Sequence, residues 1–201
     1  RAWVLNAAAD TVSLVDLSDS AKPTVSSTIP LVDPTPLAMK KGRIAFSTAK
    51  ASTTGTFSCL SCHPDGHTDQ LLWVLKTPIV TGGNQIQPRS TMPIRGLRDT
   101  EPYHWDGIPG DPYGGINSAN IYKPVPANSR RDDPLSAPLN LIDGGLAATM
   151  HLEGDERKND GGKLGELSET ERRDMAAFIL SIPYPPAQRR AFTNQLSKRA
   201  E

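Results

Sequence analysis

Residues 59–63 read Cys-Leu-Ser-Cys-His, and no other cysteine occurs in the 201 residues. This C-x-x-C-H run is the attachment sequence for a covalently bound c-type haem. It constrains the fold more than any other feature, because a chain carrying it must bury a porphyrin. Two thiols three positions apart can each add to one vinyl group on the same edge of the macrocycle. The imidazole beside the second thiol is then brought under the iron as the proximal axial ligand. Cys59, Cys62 and His63 are therefore the expected attachment and ligand residues, and both thiols are used by a single haem c.

Other readings of the same five residues stay open. A structural zinc site wants four ligands, usually as two pairs, and there is no second cysteine pair. A redox dithiol of the thioredoxin kind normally opens a helix in a β-α-β context. Here Pro64-Asp65-Gly66 follows, which is a turn sequence. A chance match in an ordinary loop is the plainest alternative.

The formal net charge is zero, with 22% charged and 37% hydrophobic residues. Nucleic-acid or membrane-surface binding would want a basic stripe, and none is present. Apolar stretches run to only a few residues, so no transmembrane segment is expected. The sequence starts at Arg1 without a signal-peptide pattern, and the expectation is a processed or fragmentary form of a longer precursor. Eighteen prolines and sixteen glycines predict many turns and long irregular connections.

The N-terminal segment reads as β-structure. Ala2-Trp3-Val4-Leu5 is a short apolar strand, Thr11 to Asp16 alternates at period two, and Thr24 to Ile29 does so more loosely. Turn residues separate them at Asn6 to Asp10 and Ser18 to Pro23. From Leu37 to Phe46 the pattern suits a helix with apolar positions on one side. Leu71 to Leu75 is a short apolar run, readable as a strand or a helical turn. Pro109 to Pro138, rich in Pro, Gly, Asn and Ser, reads as a long surface excursion. The clearest helix is the last: Ser168 and Glu171 form a capping box, and Met175, Phe178, Ile179 and Ile182 recur at helical spacing. Pro183 and Pro185-Pro186 stop it. Gln188 to Glu201 is a charged tail, helical or frayed.

Three resemblances attach to these residues. The Val4-Leu5-Asn6 and Thr11-Val12-Ser13-Leu14-Val15-Asp16 pattern resembles one blade of a bacterial β-propeller, which implies neighbouring blades in a longer precursor or packing on the next domain or a partner. The alternative is a simple N-terminal hairpin extension. A helix before C-x-x-C-H and another at the C-terminus resemble a class I cytochrome c, whose terminal helices cross beside a glycine and an aromatic residue. The matching positions are Gly42, Phe46, Met175 and Phe178. Pro93-Ile94-Arg95-Gly96-Leu97-Arg98 and Glu101-Pro102-Tyr103-His104-Trp105-Asp106-Gly107 are similar to a run in the dihaem cytochrome c peroxidase superfamily. Met150, with Lys163 to Ser168 and Glu171, is similar to that superfamily's approach to its last helix, with Asp155 to Gly162 looking inserted. Ser58 to Asp69 is similar to propeller proteins with a C-terminal cytochrome domain.

The resemblance implies a mainly α, loop-rich, cytochrome c-like haem domain over 36–187, preceded by a blade-like β-meander over 1–35 and followed by the tail 188–201. It implies Met150 as the distal ligand. Met39, Met92, Met175, His67, His104 and His151 are the other candidates, and an open iron is a further alternative. A backbone oxygen such as that of Pro64 is expected to accept from His63 Nδ1. Arg95 is expected to pair with a haem propionate or to form a surface ion pair. Trp73 and Trp105 are expected near the porphyrin or in the core, and His104 in a loop. The expected function is electron transfer by one His/Met haem, with a redox protein or larger redox complex as partner. The alternatives are the haem half of a peroxidase or oxidase, for which a single C-x-x-C-H leaves the second centre missing, and a structural subunit of a larger assembly. Haem attachment implies the bacterial periplasm or cell exterior.

Overall fold

The computed structural model describes residues 1–7, 9–78, 84–104, 106–116 and 124–185, with isolated positions 193, 195 and 198. Trp105 and most of the tail expected over 188–201 lie outside the described residues.

Period-two alternation and turn residues produce three antiparallel strands in sequential order: β1 (Ala2–Asn6), β2 (Thr11–Asp16) and β3 (Thr24–Pro30). Trp3 pairs with Leu14, and Leu14 with Ser27. This sheet has little apolar interior of its own. Its buried residue is Ser13, which accepts from Asn6 Nδ2 at 2.8 Å, while Trp3, Leu5, Val25 and Ile29 are exposed. Polar ties fasten it to the next element, where Lys40 Nζ meets Asp10 at 2.8 Å and Asp33 at 3.2 Å.

Helix α1 (Leu37–Ser47) buries Gly42, Ala45 and Phe46. Its partner is α4 (Glu169–Ser181), where the capping box forms as read: Glu171 N–H donates to Ser168 Oγ at 3.2 Å and Ser168 N–H to Glu171 Oε2 at 2.7 Å. The two helices touch closely at Gly42. A Cβ there would overlap the Asp174 carbonyl and lie 2.7 Å from Phe178 Cβ. One turn on, the Phe46 and Phe178 rings pack at 5.5 Å with a 58° tilt. A single turn, α2 (Cys59–Cys62), carries the cysteines.

The expected mainly α, cytochrome c-like fold is incorrect. Five strands in two antiparallel sheets accompany the four α-helices among the described residues, and one helix is a single turn. The second sheet, β4 (Leu72–Pro78) with β5 (Asn84–Ser90), lies inside the span expected to be mainly α and loop-rich, where Leu71 to Leu75 alone is readable as a strand. The physical reason is that β5 is specified by pairing. Asn84-Gln85-Ile86-Gln87-Pro88-Arg89-Ser90 has one large aliphatic residue and no apolar alternation, so its extended state depends on β4.

Helix α3 (Ser136–Ala147) begins where a surface excursion was expected to end. Pro138 stands in its first turn, where backbone N–H groups have no intrahelical acceptor, so the ring is tolerated. The apolar core gathers Phe46, Ile94, Ile142, Leu146, Met150, Leu167, Met175 and Ile179 from α1, α3, α4 and the loops between them. Among the described residues no helix is long and apolar enough to cross a membrane.

Arg172 on α4 is fully buried at 1% exposure. Its guanidinium donates to the carbonyls of Leu164, Gly165, Glu166 and Leu167 at 2.9–3.0 Å, and to Asp143 Oδ1 on α3 at 3.0 Å. Lys163 also pairs with Asp143. A charge buried this deeply persists only when its donors are satisfied, and this one organises the entry to α4.

Candidate cofactor site

The approach to the cysteines is shaped by Ser52, which is buried. Its Oγ donates to the Ala49 carbonyl at 3.1 Å and accepts from the N–H groups of Thr56 and Phe57 at 3.1 and 3.3 Å. Ser58 then starts α2, its N–H donating to Ser61 Oγ at 3.1 Å. One helical turn places Cys59 and Cys62, three apart, on the same side. His63 N–H closes that turn on the Cys59 carbonyl at 2.9 Å, and Asp69 N–H bonds the Cys62 carbonyl at 3.0 Å.

Both thiols are free. Burial pushes Cys59 up to about 11 and raises Cys62 as well, with the Asp69 carboxylate adding to the latter. Protonated thiols are the opposite of the low-pKa thiolate that makes a redox dithiol reactive. Cys59 borders the apolar core.

Burial lowers the pKa of His63, against the opposing pull of hydrogen bonds to the main chain of His67 and Met92 and of the Asp69 carboxylate. His63 Nδ1 lies 3.3 Å from the His67 carbonyl oxygen. A carbonyl can only accept, so Nδ1 carries the proton. The expected backbone acceptor is thus present, on His67 in place of Pro64. Neutral imidazole with a fixed tautomer is the ligand-competent form.

Arg95 sits beside this turn. Its Nε donates to the Asp65 carbonyl at 2.9 Å, and its side chain lies near Gly66. It has no carboxylate partner among the described residues, so the surface ion pair is not formed there. The neighbouring Ile94 N–H bonds the Gly66 carbonyl at 3.0 Å, fixing the 94–95 segment against the loop after His63.

Met150 follows α3 and is buried in the apolar cluster that Cys59 borders. Its N–H donates to the Gly145 carbonyl, and its carbonyl accepts from Thr53 N–H, both at 3.0 Å. Among its competitors, Met175 is fully buried on α4 and Met92 is exposed. His67 and His104 are exposed, His104 in a loop at φ 64°. His151 Nε2 is buried without a hydrogen-bond partner. Trp73 is neither in the core nor closely buried: it is 42% exposed, with Nε1 donating to Asp69 Oδ2 at 2.9 Å.

The five expected site residues thus fall into a contiguous turn (Cys59, Cys62, His63), a side chain bonded to the loop after it (Arg95), and a sulfur in the adjoining core (Met150). Free protonated thiols, a neutral imidazole with a bonded Nδ1, and a buried thioether form a donor set suited to a c-type haem. No cluster of three His, Cys, Asp or Glu side chains occurs among the described residues. Asp69, named from the sequence only as the end of the Ser58 to Asp69 run, braces Trp73 and the Leu71 N–H, and Thr53, to which sequence reading assigned no role, holds Met150. The first had a signal in the acidic residue shortly after the motif. The second had none, since its contacts span about a hundred residues.

No protein-family model matches the chain, and no curated protein matches it. Among solved structures, the chain is similar to a chain in Kuenenia stuttgartiensis hydrazine synthase pressurised with 20 bar xenon, at 21% identity and a TM-score of 0.49. The match covers 83% of this chain and 43% of that one, so this chain spans less than half the length of its neighbour. A likeness at this level transfers neither fold nor activity.

Proposed function

We propose that this chain binds one haem c through Cys59 and Cys62, with His63 and Met150 as axial ligands, and serves as an electron-transfer module. The observation that carries this reading is the C-x-x-C-H turn itself, with both thiols free and His63 Nδ1 against a backbone carbonyl. When bound, the haem would supply a one-electron iron couple, and His63 and Met150 are the residues that would ligate it and set its potential.

The chain's own groups then have defined tasks. Cys59 and Cys62 tether the cofactor. His63 presents Nε2 while the His67 carbonyl fixes its orientation. The core around Cys59 and Met150 excludes water. Arg95, bonded to Asp65 beside the motif, offers its remaining N–H groups to a propionate. No group is required to make or break a bond in a substrate. The haem unit is assigned to 36–187 and the β-meander to 1–35. With no net charge to steer encounter, docking to a redox protein or a larger redox complex depends on a local patch. Thioether attachment places the chain outside the reducing cytosol, in the periplasm or beyond.

Optical spectroscopy tests this. The ferric protein is expected to show the near-infrared sulfur-to-iron band, Met150→Ala to lose it, and the ferrous wild type to resist rapid carbon monoxide binding. Rapid binding by the wild type would instead favour an enzyme with an open iron.

A further inference from the structure

Met150 lies beyond the end of α3, where Ala148 leaves the helix at φ −120°, ψ −82°. On its helix side, the hydrogen bond to Gly145 holds it. On the other side, the anchor is Thr53, which uses three polar groups. Its N–H donates to the Met150 carbonyl at 3.0 Å, and its Oγ1 accepts from Leu152 N–H at 2.8 Å. Its carbonyl accepts from Arg157 Nη2 at 2.8 Å. Arg157 is in turn held by Asp155 at 2.5 Å and Glu166 at 2.6 Å.

Thr53 is itself well fixed, since it follows the buried Ser52 that ties together Ala49, Thr56 and Phe57. The same short loop leads directly into Ser58 and α2. One rigid stretch of backbone therefore grips the Met150 segment at one end and delivers the two cysteines and His63 at the other.

Resting on the axial-ligand reading above, we propose that Thr53 is a positioning residue: its hydroxyl and main chain hold the Met150–Leu152 segment in register with the turn bearing Cys59, Cys62 and His63, and so keep the sulfur on the iron. Removing the hydroxyl leaves the main-chain bond to Met150 but frees the Leu152 N–H. The segment then samples positions in which the sulfur is detached, and an external ligand competes more easily.

The test is imidazole titration of the ferric holoprotein, read at the sulfur-to-iron band, for wild type, Thr53→Val, Thr53→Ala and Thr53→Ser. Both hydroxyl-less variants are expected to bind imidazole about fivefold more tightly, the equilibrium equivalent of one net hydrogen bond. Thr53→Ser, which keeps the acceptor, should match wild type. Amide exchange at Leu152 should accelerate in Val and Ala but not in Ser. If Val proves too unstable to load haem, the Ala and Ser pair carries the same comparison. Equal imidazole affinity across all four proteins, with the band lost in Met150→Ala, would overturn the positioning role and leave the ligand assignment intact. A band that survives Met150→Ala would remove the ligand assignment and this proposal together.

Discussion

Arg172 has no exposed edge, and its bonds go to four carbonyls before α4 and to Asp143 on α3, which Lys163 also pairs. A planar fork with five donors suits that cage, whereas an ammonium group offers three donors from a single point. Arg172→Lys is therefore expected to destabilise the protein by about 2–4 kcal/mol, read as a lowered denaturation midpoint. An unchanged midpoint would show that the carbonyl cage is incidental. Charged residues on helices normally face solvent, so nothing in the sequence set Arg172 apart from its neighbour Arg173, which is exposed and pairs with Asp133. At the same scale, the C-x-x-C-H motif is read directly from the sequence because its five residues are contiguous. The identity of the Nδ1 acceptor is not, because it depends on how the chain turns through the left-handed Asp65.

Among the elements, α1 and α4 meet most closely at Gly42, and the contact there is with backbone that cannot move aside. Gly42→Ala gains about 1 kcal/mol in helix propensity but forces the helices apart, at a cost of about 1–3 kcal/mol or more. The expected outcome is a Tm lowered by several degrees. Gly144→Ala is the matched control, since a Cβ there meets nothing within 4 Å, and it should be neutral or slightly stabilising. Equal effects of the two would contradict the close approach.

The tie between β3 and α1 has its own signature. Asp33 is held down to about 2, chiefly by its hydrogen bonds with Thr35 and also by Lys40. A carboxylate whose folded pKa is depressed contributes stability that is complete above its unfolded value near 4. That contribution is lost as pH falls through the folded value near 2. The protection of the Thr35 amide, taken relative to its unstructured exchange rate at each pH, should therefore fall between about pH 4 and pH 2, and Asp33→Asn should abolish that fall. Protection that stays constant with pH in the wild type would contradict the tie.

Across the whole molecule, the legible parts were those with strong local rules. Strands β1 to β3 followed period-two alternation, and α4 followed its Ser168–Glu171 capping box and its proline stop. The fold class was misread because the remaining parts are set by tertiary pairing. Helix α3 contains Pro138, Gly144 and Gly145, residue types that disfavour helix, yet it forms because Ile142 and Leu146 fill the core. Strand β5 lacks an apolar pattern and borrows its order from β4. Within the site, Met150 was reached through resemblance, while Thr53 became visible only once the chain was folded. The proposal that a single covalently held cofactor unites these parts is tested most directly by intact-mass measurement of natively matured protein after acid–acetone extraction. The expected result is the polypeptide mass plus one haem, with the colour remaining on the protein. The bare polypeptide mass, with the pigment in the organic phase, would contradict it.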